Sequence, residues 1–539
     1  MRTKRVVVTV LFYLTSTAAA YAQSAPPPPP AQANPNAPAL KVTSRVVQVN
    51  VIVQNKNGQP VTGLTKSDFT ILDNGQPQTL ASFSEQTNKV TSTVTSVAAT
   101  PKTFSNRSEE RFGAPPTVSV ILIDSLNMLN NAGKVSRSNM SMARAQVVKF
   151  LEKVQPQDRV ALYFLSNKIY ILHDFTDDTA ALLRAMDIIS HLQLDQPNAT
   201  PAMDFAPIAP HSGMINPGWA LEGIARGEEV DQTNRAHQSA AALEAIAKHL
   251  SGVPGRKNLI WVSGSFPFLI HTIVGIVSFE PQISKAAQVL SDANVAVYAI
   301  DARGLTVGQP DPQTVNTMTA LADRTGGSVI RNTNDLSGAI RRAIDDSRVT
   351  YVLSYYPNHN KWDGQFREIN VKVDRPGVDV RARRGYFATP DAAISPKTKE
   401  EIMVDAAKNP IESAALGLDV QADSVGTPDA RQIKTQIKFD PTQLQLAKTG
   451  DHWMDSIDVK WVQVDSSGRI LTSTSQTLSL NIPQADYESV LRKGLTFSGN
   501  VKLVKDATDV RIVARDSGNG SVGTVNISVG PLFESGSAK

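Results

Sequence analysis

Between Thr117 and Tyr356 the apolar residues switch repeatedly between two periods, and that alternation restricts the fold more than any other feature of the chain. Val118–Ile123 is an unbroken apolar run closed by Asp124, the pattern of a parallel strand buried on both faces. Ser138 then stands ahead of Met140, Ala143, Val147, Leu151 and Val154, a cap followed by a helical stripe. Strand-like runs recur at Val160–Leu165, Ile169–His173, Leu259–Val262, Val295–Ile300, Ser328–Ile330 and Thr350–Tyr355. Helical patterns separate them at Leu182–Ile189, Gln238–Leu250, Ser284–Ala293, Val315–Arg324 and Leu336–Ser347. Residues 117–356 therefore predict one doubly wound α/β domain, interrupted by a polar, proline-containing excursion over Gln193–Asp231.

The flanks predict β structure. Val47, Val49, Val51 and Val53 alternate with Gln48, Asn50, Ile52 and Gln54, and Asn57-Gly58 and Asn74-Gly75 supply hairpin turns, because such turns need positive φ at their centre. Residues 40–87 read as a small β-module and 88–116 as a Ser/Thr-rich linker. Beyond the α/β region, Arg367–Val373 and Val378–Arg384 read as a hairpin turned at Arg375-Pro376-Gly377, giving an extension over 357–390. A polar linker (391–420) leads to strand-like alternation around Ile433–Phe439, Ile457–Trp461, Leu478–Ile482, Val510–Ala514 and Val522–Val529. Residues 421–532 predict a β-sandwich. The fold class is α/β plus all-β.

The chain has 539 residues, no cysteine and a formal charge of +4. Arg2, Lys4 and Arg5 precede the apolar Val6–Leu14 and the small residues Ala18-Ala19-Ala20-Tyr21-Ala22, the layout of a cleavable export signal over 1–23. Without those three charges the total falls to about +1, which argues against a nucleic-acid partner. Membrane contact is expected through the signal alone, and the destination is secreted or periplasmic. Residues 24–39, with Pro26–Pro30, form an extended spacer. With no disulfide available, the folded parts must rely on ordinary cores.

Ligands of doubly wound sheets bind at the carboxyl ends of strands, which puts Asp124 where a site belongs. Three stretches carry a resemblance: Val120-Ile121-Leu122-Ile123-Asp124-Ser125-Leu126-Asn127, Pro254-Gly255-Arg256-Lys257-Asn258-Leu259-Ile260-Trp261-Val262-Ser263-Gly264, and Tyr355-Tyr356-Pro357 leading to Arg384-Gly385-Tyr386. Val61-Thr62-Gly63-Leu64-Thr65 and Asp68-Phe69 before Asp73-Asn74-Gly75 add to it. These resemble a von Willebrand factor A domain and, more closely, the VWFA-related Acidobacterial domain family of secreted bacterial proteins, over roughly Val46–Ala388.

That resemblance implies a Mg²⁺ or Mn²⁺ site built from Asp-x-Ser-x-Ser, a Thr in a second loop and a late Asp. Here Asp124 is kept, while Leu126 and Met128 occupy the Ser positions. The Thr falls at Ala242, with Ser239 nearby, and the late Asp falls at Ser263. The metal site is therefore expected to be degenerate. Ser125, Asn127, Ser263 and Ser265 are the donors left beside Asp124, and the competing expectation is that Asp124 hydrogen-bonds loop amides. No resident cofactor is expected.

The eight histidines show no zinc-binding spacing. Ser263-Gly264-Ser265 sits at a strand end but lacks the Gly-x-Ser-x-Gly elbow. Phe266–Phe279, including Phe266, Phe268, Leu269 and Ile270, is expected at the strand-end rim, packed as a buried helix or loop or else exposed as an apolar patch that docks a protein; Pro201–Pro217 is a candidate cover. The expected function is exported, non-enzymatic protein–protein interaction or adhesion. The alternatives are a Mg²⁺/Mn²⁺-dependent adhesin anchored on Asp124, a secreted hydrolase with a serine nucleophile, and a scaffold whose β-modules bind.

Overall fold

The computed structural model describes residues 46–87, 102–107, 117–128, 136–155, 158–192, 217–253, 255–264, 269–272, 275–303, 312–359, 361–388, 395–409, 411–425 and 431–534. The export signal, the proline-rich spacer, the candidate cover at 201–216 and the side chains of Phe266 and Phe268 lie outside them. Among the described residues, no helix is long and apolar enough to cross a membrane.

A six-stranded sheet is the centre of the α/β region. Its strands run in the order Ser328–Ile330, Val295–Asp301, Arg256–Ser263, Thr117–Asp124, Val160–Leu165 and Ile169–Thr176. The first five are parallel, and Ile169–Thr176 is antiparallel to its neighbour. The apolar run at 118–123 is explained by the pleat, because successive side chains point to opposite faces. Val118, Val120 and Leu122 join one core, with helices Pro217–Leu250, Glu280–Asp292 and Pro312–Thr325. Ile121 and Ile123 join the other, with helices Arg137–Leu151, Thr179–Leu192 and Leu336–Asp345.

Several elements depart from the sequence expectation. The strand Val349–Tyr355 does not complete the six-stranded sheet; it pairs antiparallel with Val47–Asn55 on one side and Leu80–Thr87 on the other. Its alternating burial suits a two-layer β packing, and Tyr351, Leu353 and Tyr355 enter a core with Val49, Val51, Phe69 and Ile71. Phe366–Val373 and Val378–Arg381 form no hairpin. The first pairs with Phe69–Asp73 and Gly385–Phe387, and the second pairs with Val47–Asn55. Asn74 and Gly75 both take positive φ, as the tight turn requires, whereas in the first turn Gly58 does and Asn57 does not, and the Asn55 side chain closes that turn by accepting from the N–H groups of Asn57 and Gln59.

Both supposed linkers also contain structure. Thr103–Ser105 is an edge strand on Leu418–Val425, and Asn106 fastens it by donating to the carbonyls of Ser413 and Leu416. Within 391–420 lies helix Pro396–Lys408, capped by Ser395 and started by its proline. The helix turns Met403 and Ala407 onto Val462 and Val513. The helix expected from Gln238 begins at Pro217 and runs 34 residues, with a proline at its first position, where the missing N–H costs nothing. Ser136, not Ser138, caps the helix Arg137–Leu151.

The C-terminal strands form two sheets around a common core that includes Leu418, Val420, Ile437, Trp461 and Ile512. One sheet runs Leu495–Lys502, Gln432–Phe439, Leu418–Val425, Thr103–Ser105. The other holds Ala447–Thr449, His452–Val464, Asp509–Asp516 and Val522–Ser528, with Ile470–Pro483 also on His452–Val464.

At the opposite end of the six-stranded sheet from Asp124, Lys257 is 2% exposed and donates its ammonium to the Val253 carbonyl at 2.5 Å. Burial lowers its pKa to about 7. Between about 7 and the ordinary value near 10.4 the unfolded chain binds more protons than the folded one, so stability rises with pH across that window and is flat below it. Lys257→Met should raise the unfolding free energy at neutral pH by roughly 1–4 kcal/mol. Urea melts at pH 7 and about 9.5 should show that gain shrinking as pH rises; a gain independent of pH contradicts the assignment.

Candidate functional site

The site lies at the carboxyl ends of the two middle strands. Register places Ile123 opposite Val262, so Asp124 and Ser263 end adjacent strands in the same pleat phase, on the face that carries helix Pro217–Leu250. Trp261, two residues before Ser263, points to the same face and belongs to that core. Asp124 has no exposed surface.

Three side chains donate to one oxygen of Asp124. Asn127 Nδ2 reaches Oδ2 at 2.7 Å, Ser263 Oγ at 2.9 Å and Trp261 Nε1 at 3.0 Å. The backbone N–H of Asn127 reaches Oδ1 at 3.3 Å. Asn127 Nδ2 also donates to Ser239 Oγ at 2.7 Å, which ties the strand-end loop to helix Pro217–Leu250. Burial pushes the Asp124 carboxyl above the usual range, and the hydrogen bonds from Asn127, Ser263 and Trp261 pull the other way. The loop is held close: a Cβ built on Gly264 would lie 2.9 Å from the Asn127 carbonyl oxygen.

Of the residues expected at the site, Asp124, Asn127 and Ser263 come together. Ser125 faces elsewhere, with its N–H and its hydroxyl both on the Leu165 carbonyl at 2.8 Å. Ser239, not Ala242, is the residue that helix Pro217–Leu250 sends to the loop; Ala242 is in the core. The late-Asp position is filled by a serine that donates. Residue type alone does not mark Trp261 as part of the site, although the period of two places it on the same face as Ser263. At the next strand end Asp301 is clamped by Arg303, whose Nε lies at 3.0 Å and Nη2 at 2.8 Å from its carboxylate oxygens. Among the described residues, no group of three or more His, Cys, Asp or Glu side chains converges as metal ligands would.

Of the segment expected to form the apolar rim, residues 265–268 and 273–274 lie outside the described residues. Leu269–Thr272 and Gly275–Ser278 form an antiparallel hairpin, not the helix or loop expected for Phe266–Phe279. Leu269 and Ile270 lie on its first strand, and Val277 on the second is exposed. Phe279 closes the segment and is buried against the core, edge-on to His237 at 5.2 Å.

No protein-family model matches the chain, and no curated protein matches it. Among solved structures it is similar to an aerotolerance-related membrane protein from Bacteroides fragilis, at 13% identity over 42% of this chain and 98% of that one, with a TM-score of 0.25. BatB from Bacteroides thetaiotaomicron is 12% identical over 43% of this chain and 99% of its own, with a TM-score of 0.25. The vWF domain of the type V pili tip protein Mfa5 from Porphyromonas gingivalis is 13% identical over 42% and 96%, with a TM-score of 0.23. The solved structures similar to this chain thus include a von Willebrand factor domain. The architecture of the chain itself is the strand order and register given above.

Removing the Asp124 carboxylate takes away the acceptor that three buried side chains share, so Asp124→Ala should cost roughly 2–5 kcal/mol of unfolding free energy. Asp124→Asn keeps an oxygen where Oδ2 stands and should cost less than half as much. Because burial raises the folded-state pKa, the folded protein holds this proton more tightly than the unfolded chain does, and stability falls as pH rises upward from about 4. Denaturant melts of wild type and Asp124→Asn between pH 4 and 7 should therefore show wild type losing ground to the variant as pH rises. An unchanging difference contradicts this.

Proposed function

We propose that the chain is an exported, non-enzymatic protein-interaction or adhesion protein whose α/β region is a doubly wound, von Willebrand A-like domain with a metal-free strand-end site. The small β-module before that domain is like the leading segment of the VWFA-related Acidobacterial family, and a β-sandwich follows the region of resemblance. One observation carries the reading: the position where an A domain gathers oxygen ligands holds one buried carboxylate surrounded by donors. A divalent ion such as Mg²⁺ needs an octahedral set of oxygen acceptors. The Trp261 indole N–H has no lone pair to give, and at 3.0 Å from Oδ2 it occupies the approach to the carboxylate. The residues present do not fit the ion.

The same geometry weighs against a serine hydrolase. Such an enzyme needs a base to take the nucleophile's proton and an acid to orient that base. The Ser263 hydroxyl instead donates directly to Asp124, and Asp301 is engaged by Arg303. The partner surface in this reading is the segment after Ser263 that carries the strands Leu269–Thr272 and Gly275–Ser278, and the partner it suits is a protein.

Calorimetric titration of Mg²⁺ and Mn²⁺ into the full chain should give no saturable heat, and whatever protein the chain captures should stay bound in chelator. Saturable binding that disappears in Asp124→Asn would replace this reading with a metal-dependent adhesin. Labelling of Ser263 by a serine-reactive phosphonate would replace it with a hydrolase.

A further inference from the structure

The C-terminal sheet ends in a strand whose outer edge pairs with no other strand among the described residues. Ile470–Pro483 is 14 residues long and pairs with His452–Val464 from Ile470 to Pro483, with a bulge at Leu471. No other described strand pairs with it. Its sequence, Ile-Leu-Thr-Ser-Thr-Ser-Gln-Thr-Leu-Ser-Leu-Asn-Ile-Pro, contains no charged residue, and Ser473–Thr477 is exposed at every position.

An edge strand presents a row of free N–H and C=O groups, and proteins that stay monomeric blunt such edges with charge, brevity or a cover. The other outer strands of this protein do so. Leu80–Thr87 carries Glu85, Ile169–Thr176 carries Asp174, Leu495–Lys502 ends on its lysine, and Val378–Arg381 carries Asp379 and Arg381. The remaining uncharged outer strand of the same C-terminal sheet, Val522–Ser528, is covered: Leu416 N–H donates to the Val522 carbonyl at 3.2 Å and Thr524 N–H to the Ser413 carbonyl at 2.8 Å. Ile470–Pro483 alone combines length, neutrality and an edge that pairs with no other strand among the described residues.

We propose that Ile470–Pro483 is a dimerisation edge, at which two copies of the chain pair these strands antiparallel across a twofold axis and join their sheets. A second copy fits for two reasons. An antiparallel pairing of identical strands is isologous, so the surface must complement itself, and a neutral strand meets its own copy without like-charge repulsion. With the twofold axis at Ser475, residues 470–480 pair with their own copies, and because every second residue turns its N–H and C=O outward this edge offers about 10 backbone hydrogen bonds over about 37 Å. That number matches the roughly 10 ± 5 direct hydrogen bonds of a standard interface. The central Ser/Thr run supplies facing hydroxyl side chains, which are favourable cross-strand neighbours.

Sedimentation of the full chain should give roughly twice the monomer mass at tens of micromolar, within the affinity range such interfaces reach. Ser473→Lys/Ser475→Lys places like charges on one face of both strands near the axis and should return the monomer mass with an unchanged melting temperature, since both positions are exposed. The chain has no cysteine, so single cysteines at Ser473, Thr474, Ser475 and Gln476 report the pairing directly. Those nearest the axis should form an intermolecular disulfide under mild oxidation, while a cysteine at exposed Ser67 should not. A monomer at every concentration overturns the proposal and leaves the edge to a strand of another protein. A dimer unmoved by the lysines, or equal cross-linking at Ser67, overturns it in favour of a different surface.

Discussion

A carboxylate with no exposed surface has to be protonated, coordinated or hydrogen-bonded, because an isolated buried charge costs far more than a fold can absorb. Asp124 is met by hydrogen bonds, and the arrangement of the strand-end region follows from meeting that need. Oδ2 collects an amide, a hydroxyl and an indole N–H from a loop and a strand. The amide that serves it continues to Ser239 on the long helix. The loop after the first strand and the end of the neighbouring strand are thus held to one another through one carboxylate oxygen, helix Pro217–Leu250 is joined to them through Ser239 Oγ as a second acceptor of the Asn127 amide, and Gly264 has no Cβ to obstruct the close approach of the loop backbone.

The chain is also interlaced. The strand after the six-stranded region returns to the N-terminal strand Val47–Asn55, and a three-residue strand from the segment before that region pairs with the C-terminal sheet. Long-range pairings of this kind take the place of the cross-links that a cysteine-free chain lacks. Ion pairs fasten the same seams: Arg381 meets Asp346 at 2.8 Å and Arg384 meets Asp323 at 3.0 Å, both joining the β segment after the α/β region back to it. Each is a modest contribution by itself; the shared β core around Tyr351, Tyr355, Phe69 and Ile71 is the larger one.

What could be read from the sequence and what could not divides along physical lines. The run Val118–Ile123 and the helical stripes are local patterns, and they locate the six-stranded sheet and the position of Asp124 well, since period alone decides which face a residue serves. Partner choice for strands is not local. Nothing in Thr350–Tyr355 distinguishes pairing with Arg256–Ser263 from pairing with Val47–Asn55, and the three-residue Thr103–Ser105 is too short to show a period at all. Helix Pro396–Lys408 was legible in principle, because Ser395-Pro396 is a cap followed by a proline at the first turn, but its polar composition masked it. At the site, Asp124, Asn127 and Ser263 were found from residue type. The role of Trp261 required the pleat phase, and the inward turn of Ser239 rather than Ala242 required the helix register.

The claim on which the account rests is that Asp124 is satisfied by the protein's own donors. A crystal of the full chain grown with millimolar Mn²⁺ and measured for anomalous scattering tests it most directly. The account predicts no anomalous peak at the Asp124 carboxylate, with the Trp261 indole nitrogen and the Ser263 hydroxyl within hydrogen-bond distance of Oδ2. A manganese peak bonded to Asp124, with Trp261 turned away, would contradict it.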